Sequence, residues 1–249
     1  GDTSRASDLF ESSVRSAGAD EWSRYLALAH LFRPGSAQPG ERTGFIAELQ
    51  ELDEQRAERL SWLEPLITKF EAALADPAER RDLLVQIHEL QPDSRRLLVY
   101  ASYYSAMASD WPQSLKLAEQ YLQVPGREEP LRLGLQLLTA TVLLHSGEED
   151  QSRSRLNETC GETSTIWYRQ VCESLLHQRS QEDLIDNAGT IPEKLLTAHA
   201  ALGFQAEAEG EKEDALSHYR EALGSYLDTW IEFELARQRY IVLRQQNTN

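Results

Sequence analysis

Apolar residues recur at helical spacing along most of the chain, in blocks separated by proline, glycine and short polar segments. Leu83, Leu84, Ile87 and Leu90 form one such block, three or four residues apart, which is the period of an amphipathic α-helix. No alternation of apolar and polar residues lasts long enough for a half-buried strand, and no Asn-Gly hairpin turn occurs. The pattern therefore predicts an all-α protein.

Polar residues at fixed places predict where several helices begin. Asp76 precedes Pro77 and Glu79, so its carboxylate can accept hydrogen bonds from the unpaired amides of the first turn. We predict helix starts at four such residues: Asp76, Asp110, Ser180 and Thr190.

A segment rich in proline and glycine, residues 34–40, interrupts the pattern and is predicted to be a loop. It separates N-terminal helices in residues 1–33 from a helical array in residues 42–249, which we expect to form one continuous solenoid. Between Phe45 and Leu74 an apolar stripe predicts two helices in line, broken near Pro65 because proline costs a helix interior about 3 kcal/mol. A coiled coil is the alternative for this stripe.

The segment 196–229 carries the clearest pattern. His199, Leu202 and Gly203 are followed, twelve residues past the glycine, by Ala215, and then by Tyr219 and Ala222. This spacing predicts two antiparallel helices that approach closely at small residues. It resembles the tetratricopeptide repeat, a helix pair of about 34 residues.

The resemblance implies a right-handed α-solenoid of antiparallel helix pairs, a superhelix of the tetratricopeptide type. The clearest units are 95–128, 131–160 and 196–229. Trp230, Phe233, Leu235, Ala236 and Tyr240 lie on one amphipathic helix, 230–245, with arginines on the opposite side. Such a helix suits the terminal cap of a solenoid.

In proteins of this family, the first helices of successive units line a concave groove that receives a peptide or helix of a partner. The register places eight residues there: Arg96, Tyr100, Tyr103, Met107, Thr141, His145, Phe204 and Glu207. Family members that grip an acidic C-terminal carboxylate use lysine, asparagine and arginine at such positions, of which only Arg96 remains. We therefore expect hydrophobic and aromatic docking, with packing of Tyr100 and Tyr103 inside the superhelix as the alternative.

The net charge of the chain makes one class of partner, nucleic acid, unexpected. The 249 residues carry 41 acidic and 25 basic side chains, a net charge of -16, which repels the phosphate backbone of nucleic acids. No run of apolar residues is long enough to span a bilayer. The expected partner is a protein, with no nucleic acid and no direct membrane insertion of this chain; the oligomeric state is left open.

No phosphate-binding loop, nucleophile elbow, dinucleotide fingerprint or zinc-protease motif occurs. The six histidines are dispersed, so we predict no catalytic residue, no metal site and no cofactor. An acidic turn at Glu207, Glu209, Glu211 and Glu213 is interpreted as a solvated surface rather than a calcium site. For Cys160 and Cys172, two unpaired structural thiols are favoured over a disulfide.

Together these observations predict a non-enzymatic scaffold that binds a peptide or helix of a partner in its groove. Two alternatives are a regulatory or substrate-recruiting part of a larger enzyme or membrane-anchored complex, and a self-associating assembly subunit. Because the chain opens at Gly1 without methionine, we favour an exported or membrane-anchored protein whose N-terminal segment was removed. A cytoplasmic location is the alternative.

Overall fold

The computed structural model describes Lys69 and residues 76–90, 95–123 and 129–246, and its chain divides into two compact units, Gly1–Leu97 and Leu98–Asn249. Every regular element in the described residues is a helix, which confirms the predicted all-α class. The helices are α1 (Pro77–Leu90), α2 (Arg96–Met107), α3 (Trp111–Leu122), α4 (Glu129–His145), α5 (Glu149–Glu162), α6 (Ile166–Leu175), α7 (Gln181–Ala188), α8 (Pro192–Ala208), α9 (Lys212–Leu223) and α10 (Ile231–Gln245). The predicted helices of residues 1–33, the loop 34–40 and most of the stripe from Phe45 to Leu74 lie outside the described residues.

Three of the four predicted helix starts are confirmed by their hydrogen bonds. Asp76 Oδ1 accepts from Ala78 N at 2.9 Å, Asp110 Oδ1 from Gln113 N at 3.3 Å, and Ser180 Oγ from Asp183 N at 3.0 Å. The fourth prediction is wrong, because α8 begins one residue later than expected. Its capping position is Ile191, whose side chain supplies no hydrogen bond, and Pro192 fills the first helical position, where an amide proton would be unpaired anyway.

In three helix pairs the two helices are joined by the same kind of turn. At Ser109, Gly147 and Gly210 the backbone adopts a positive φ of 60°, 79° and 83°. The following amide donates to the carbonyl five residues earlier, as in Glu148 N to Leu143 O at 2.9 Å, which is the geometry of a Schellman cap. The next helix begins two residues after each turn. The pairs α2–α3, α4–α5 and α8–α9 are therefore equivalent hairpins.

Small residues allow a close approach of the helices in two of these hairpins. In α2–α3, Ser102 and Ser114 donate to each other's backbone carbonyls, both at 2.9 Å. In α8–α9, Gly203 faces the Tyr219 ring so closely that a Cβ built on the glycine would lie 2.8 Å from Tyr219 Cδ1. The predicted close approach at Gly203 is thus present, and Tyr219 fills the space that the glycine leaves.

Replacing Gly203 by alanine is expected to destabilise the chain by about 1–3 kcal/mol, because the new methyl group overlaps a buried aromatic ring. The matched control is Gly161→Ala in α5, where a Cβ would meet nothing within 4 Å. The control is expected to be neutral or to stabilise by up to about 1 kcal/mol through helix propensity. Urea denaturation followed by circular dichroism measures both, and equal effects would contradict the close contact.

The preference for unpaired cysteines is wrong. Cys160 at the end of α5 and Cys172 in α6 form a disulfide, with their Cα atoms 5.7 Å apart. Cys172 is fully buried in an apolar cluster with Leu156, Val171 and Leu184. A disulfide was the less favoured alternative from the sequence, and the turn between α5 and α6 brings the two cysteines side by side.

Helix α10 makes contacts that a simple solenoid lacks. It packs on both α8 and α9, as a following repeat helix would. It also reaches the end of α2, where Arg239 donates to Met107 O at 3.2 Å. Helix α4 packs directly on α8 although the α6–α7 pair lies between them in sequence. In solenoids each repeat contacts only its neighbours. The contacts of α4 with α8 and of α10 with α2 therefore depart from a simple solenoid.

Candidate functional site

Six of the eight predicted groove residues come together on what we call the inner face, formed by α2, α4 and α8. Its predicted members are Tyr103, Met107, Thr141, His145, Phe204 and Glu207. Tyr103 is 4% exposed, Met107 2% and Phe204 2%, so the face is covered rather than open to solvent. Tyr100 is half-buried on α2, and Arg96, the first residue of that helix, is also half-buried. Helix α10 provides the cover.

Arg239 of α10 is the centre of the buried contacts on this face. Its side chain is 4% exposed, and it pairs with Glu207 of α8, whose side chain is 8% exposed. The Nε atom donates to both carboxylate oxygens at 3.1 Å, while Nη1 donates to Ser109 Oγ at 2.6 Å. Tyr219 Oη donates to Glu207 Oε2 at 2.7 Å. Glu207 is therefore not part of a solvated acidic turn, as the sequence suggested; it is a buried acceptor.

Aromatic rings surround this ion pair. The rings of Trp111 and His145 are stacked with centroids 4.4 Å apart, and the His145 and Phe204 centroids are also 4.4 Å apart. The Arg239 guanidinium lies 5.5 Å from the Trp111 centroid, within the range of a cation–π interaction. His145 Nε2 lies 3.1 Å from Phe204 O, which fixes this nitrogen as the protonated one. Burial lowers the pKa of His145 to about 4, so the ring is neutral near pH 7.

Next to the ion pair, α10 borders a partly open pocket of about 30 Å³ lined by Tyr103, Thr141, Phe204, Glu232 and Leu235 among others, which is room enough for a water molecule. Gly134 leaves room there, since a Cβ at this position would lie 3.4 Å from Tyr103 Oη and 3.6 Å from Glu232 Oε1. Burial raises the pKa of Glu232 and, together with the Glu232 charge, the pKa of Tyr103. Tyr103 of α2 and Glu232 of α10 therefore both lie beside Gly134 of α4.

Sequence reasoning missed Arg239, Glu232, Trp111 and Tyr219 as parts of this face. The sequence does contain an indication that Arg239 is buried. Arg239 is one of a stripe of four residues at every fourth position of α10, and the other three are apolar. Ile231, Leu235 and Leu243 are 9%, 3% and 5% exposed, so the stripe faces inward and carries the arginine with it. The interpretation that the arginines lie behind the apolar face is wrong for Arg239.

A second polar pair joins α8 to α9. The Nδ1 atoms of His199 and His218 are 3.0 Å apart, and His218 Nε2 lies 3.1 Å from Gln181 Oε1. Gln181 accepts the Nε2 proton of His218, so His218 Nδ1 accepts in turn from His199. Burial, and then His218, lower the pKa of His199 to about 4. Burial also lowers the pKa of His218, against the opposing charges of Asp214 and Glu221.

Stability is expected to fall as the pH drops from about 6.5 to about 4. Unfolded histidines bind protons below about 6.5, whereas folded His145 and His199 remain neutral until about pH 4, so acid favours the unfolded chain. Denaturant titrations at several pH values measure this loss. Glu232 has the opposite effect on stability, because burial raises its pKa and the folded carboxyl group therefore binds a proton more readily than the unfolded one. Wild type and His199→Gln share this contribution of Glu232, so the difference between their profiles reports on His199.

His199→Gln should flatten the profile, because it removes one of the two histidines whose pKa burial lowers to about 4. A slope that is the same in wild type and in His199→Gln would contradict neutral burial of His199.

In the described residues, no three histidine, cysteine, aspartate or glutamate side chains gather as a potential metal site. None of the described helices is both long and apolar enough to cross a membrane. No protein-family model matches the sequence, and no curated protein shows significant similarity to it. The function is therefore argued from the geometry of the inner face and its covering helix.

Proposed function

We propose that this chain is a non-enzymatic interaction scaffold, built from tetratricopeptide-like helix pairs, which binds a helical segment of a partner protein on its inner face. One observation carries the proposal: α10 lies on this face as a bound helix would. Recognition of an amphipathic helix in a groove uses anchors on one side of the helix. Four buried residues, spaced by four, provide them: Ile231, Leu235, Arg239 and Leu243.

The contacts of the inner face support binding rather than catalysis. Glu207 accepts from both Arg239 and Tyr219, and Arg239 also donates to Ser109 and to the Met107 carbonyl. These polar groups are used in holding α10. An arginine surrounded by aromatic rings is typical of the residues that dominate protein interfaces.

The test uses a fluorescent synthetic peptide with the sequence of residues 228–246, added to the full chain. Leu243→Ala weakens the docking of α10 by roughly 2–5 kcal/mol, which raises the population of chains with an open inner face. The peptide should then bind at least about tenfold more tightly than to wild type, because apparent affinity follows the open fraction. Fluorescence anisotropy measures the binding.

The matched control is Ile241→Ala on the same helix, at a residue that is 41% exposed; it should bind the peptide as weakly as wild type. A peptide carrying Arg239→Glu should bind to none of the chains. If the unchanged peptide binds no better to folded Leu243→Ala than to Ile241→Ala, the inner face does not accept a helix in trans.

Self-association is the second candidate, and the segment before α10 favours it. Tyr226 in this connection is 85% exposed with a φ of 56°, and Trp230 is 38% exposed. A connection of this kind can act as a hinge, so that α10 occupies the inner face of a second copy by domain swapping. Sedimentation of wild type at increasing concentration distinguishes a swapped dimer from a monomer. That the chain is a regulatory or recruiting part of a larger protein stays a prediction.

The disulfide also bears on location. Disulfides persist in secreted and periplasmic proteins and are reduced in most cytosols. The Cys160–Cys172 bridge therefore supports our proposal that the chain works in an oxidising, extracytoplasmic compartment.

A further inference from the structure

A second cleft lies between α4, α5 and the C-terminal ends of α6 and α8. It is a cleft of about 240 Å³, smaller than the roughly 300–1,000 Å³ of sites for drug-sized ligands or cofactors. Four leucines contribute its apolar lining: Leu144, Leu156, Leu175 and Leu176. Its size and lining suit one or two apolar side chains of a peptide.

Two polar side chains in the cleft, those of Ser152 and Gln205, each have an oxygen atom that makes no hydrogen bond to a described residue. Ser152 is 5% exposed, yet its hydroxyl makes no hydrogen bond to any described residue. Gln205 is 7% exposed, and its Nε2 donates to Leu175 O at 3.0 Å and to Glu209 Oε1 at 2.7 Å. Its Oε1 accepts from no described residue. Neither atom is enclosed, since the buried side-chain atoms without a partner in the described residues are His88 Nδ1, Trp167 Nε1 and Ser174 Oγ, so both are accessible to the backbone groups of a ligand in the cleft.

The charge around the cleft is mainly negative. Glu149 and Glu209 line it together with Arg153 and His177, and His177 Nε2 lies 3.4 Å from Glu209 Oε1. The two turns beside it add exposed carboxylates at Glu148, Asp150 and Glu211. The chain as a whole carries -16, so the long-range field around it also attracts cations.

We propose that this cleft binds a segment of a partner protein that presents an apolar side chain of about the size of leucine, flanked by lysine or arginine. The apolar side chain enters the leucine-lined space, the basic residues pair with Glu149 and Glu209, and the peptide backbone meets Ser152 and Gln205. The proposal rests on the scaffold function above and places a second contact away from the α10 stripe. Thr141 alone among the lining residues belongs to both the cleft and the pocket beside α10.

The probe is a short, capped, fluorescent peptide with one leucine between two pairs of lysines, titrated into the full chain at low and at physiological salt. Wild type should bind it, and a peptide with serine in place of leucine should bind about tenfold or more weakly, since a buried leucine side chain contributes about 1.5–3 kcal/mol. Ser152→Met, which fills the cleft, should abolish binding at both salt concentrations.

Glu149→Gln/Glu209→Gln should weaken binding by up to about fivefold per exposed charge pair and reduce its salt dependence. Glutamine at position 209 keeps an oxygen that can accept from Gln205. The matched control is Glu158→Gln, exposed on α5 and absent from the lining of the cleft, which should bind as wild type does.

No binding to wild type would overturn the proposal, as would equal binding to Glu158→Gln and Glu149→Gln/Glu209→Gln, which would indicate general adhesion to an acidic protein. Tighter binding of a peptide with glutamates in place of the lysines would overturn it too. These variants leave the α10 stripe unchanged, so failure here is distinct from failure of the helix-exchange test.

Discussion

Replacing Arg239 by alanine is expected to lower the free energy of unfolding by about 3–5 kcal/mol, because removing one partner of a buried ion pair leaves the other charge without compensation. Glu207 would keep only the hydrogen bond from Tyr219. Ser109 and the Met107 carbonyl would also lose their donor. Urea denaturation followed by circular dichroism measures the loss.

Arg237→Ala is the matched control, two residues away on the same helix. Its side chain is 43% exposed and pairs with Glu234 at 3.0 Å, a surface contact that contributes about 1 kcal/mol or less. If both substitutions cost the same, the Arg239–Glu207 pair does not hold α10 on the inner face.

A double substitution, Arg239→Met/Glu207→Leu, adds a second comparison. Replacing both charges by apolar groups of similar size is often neutral or stabilising, so this variant should recover most of the stability lost in Arg239→Ala. Recovery would show that Arg239→Ala is destabilising because it leaves Glu207 as an unpaired buried charge. The ion pair would then fix the position of α10 on the inner face rather than add much to the free energy of unfolding. A double variant as unstable as the single one would contradict this account.

Reduction of the Cys160–Cys172 disulfide is expected to lower stability by about 3 kcal/mol, because the bridge closes a short loop, for which chain entropy predicts a loss of this size. The two cysteines are 12 residues apart. The measurement is the melting temperature with and without dithiothreitol. A Cys160→Ala/Cys172→Ala variant should melt at the lower temperature in both conditions.

A wild-type melting temperature that does not respond to reductant, in a chain whose thiols have been shown to be free, would contradict the contribution of this bridge to stability. Hydrogen exchange of backbone amides can also show which helices are destabilised when the disulfide is reduced. Because the bridge joins the end of α5 to α6, amide exchange should increase in these two helices before it increases in the α8–α9 hairpin.

Helix positions and most helix starts were predictable because their causes are local. An aspartate or serine that bonds the amides of the next turn acts within three residues, as Asp76 and Ser180 show. The closeness of α8 and α9 at Gly203 was also predictable, since the spacing of small and large residues within one hairpin encodes it. Thr190 failed as a cap because Pro192 already occupied the first helical position, a competition between two local signals.

The inner face was predictable only in part. Helical periodicity places Tyr103, Phe204 and Glu207 on one side of their helices, and in the structure all three lie on the inner face. Their burial was not predictable, since it involves α10, whose Glu232 and Leu235 line one pocket with Tyr103 and Phe204 and whose Arg239 binds Glu207. A stripe spaced by four residues shows which side of α10 is buried, but it does not show against what.

The sequence by itself determined an all-α chain, three of the four predicted helix starts and the tight α8–α9 hairpin, because hydrogen bonds and side-chain contacts within about 35 residues specify them. Only the tertiary structure decided that α10 covers the inner face, that Glu207 is a buried acceptor and that Cys160 pairs with Cys172. These outcomes depend on which surfaces meet in space, and the free energy of such contacts comes from desolvation and packing between elements that local pattern does not relate.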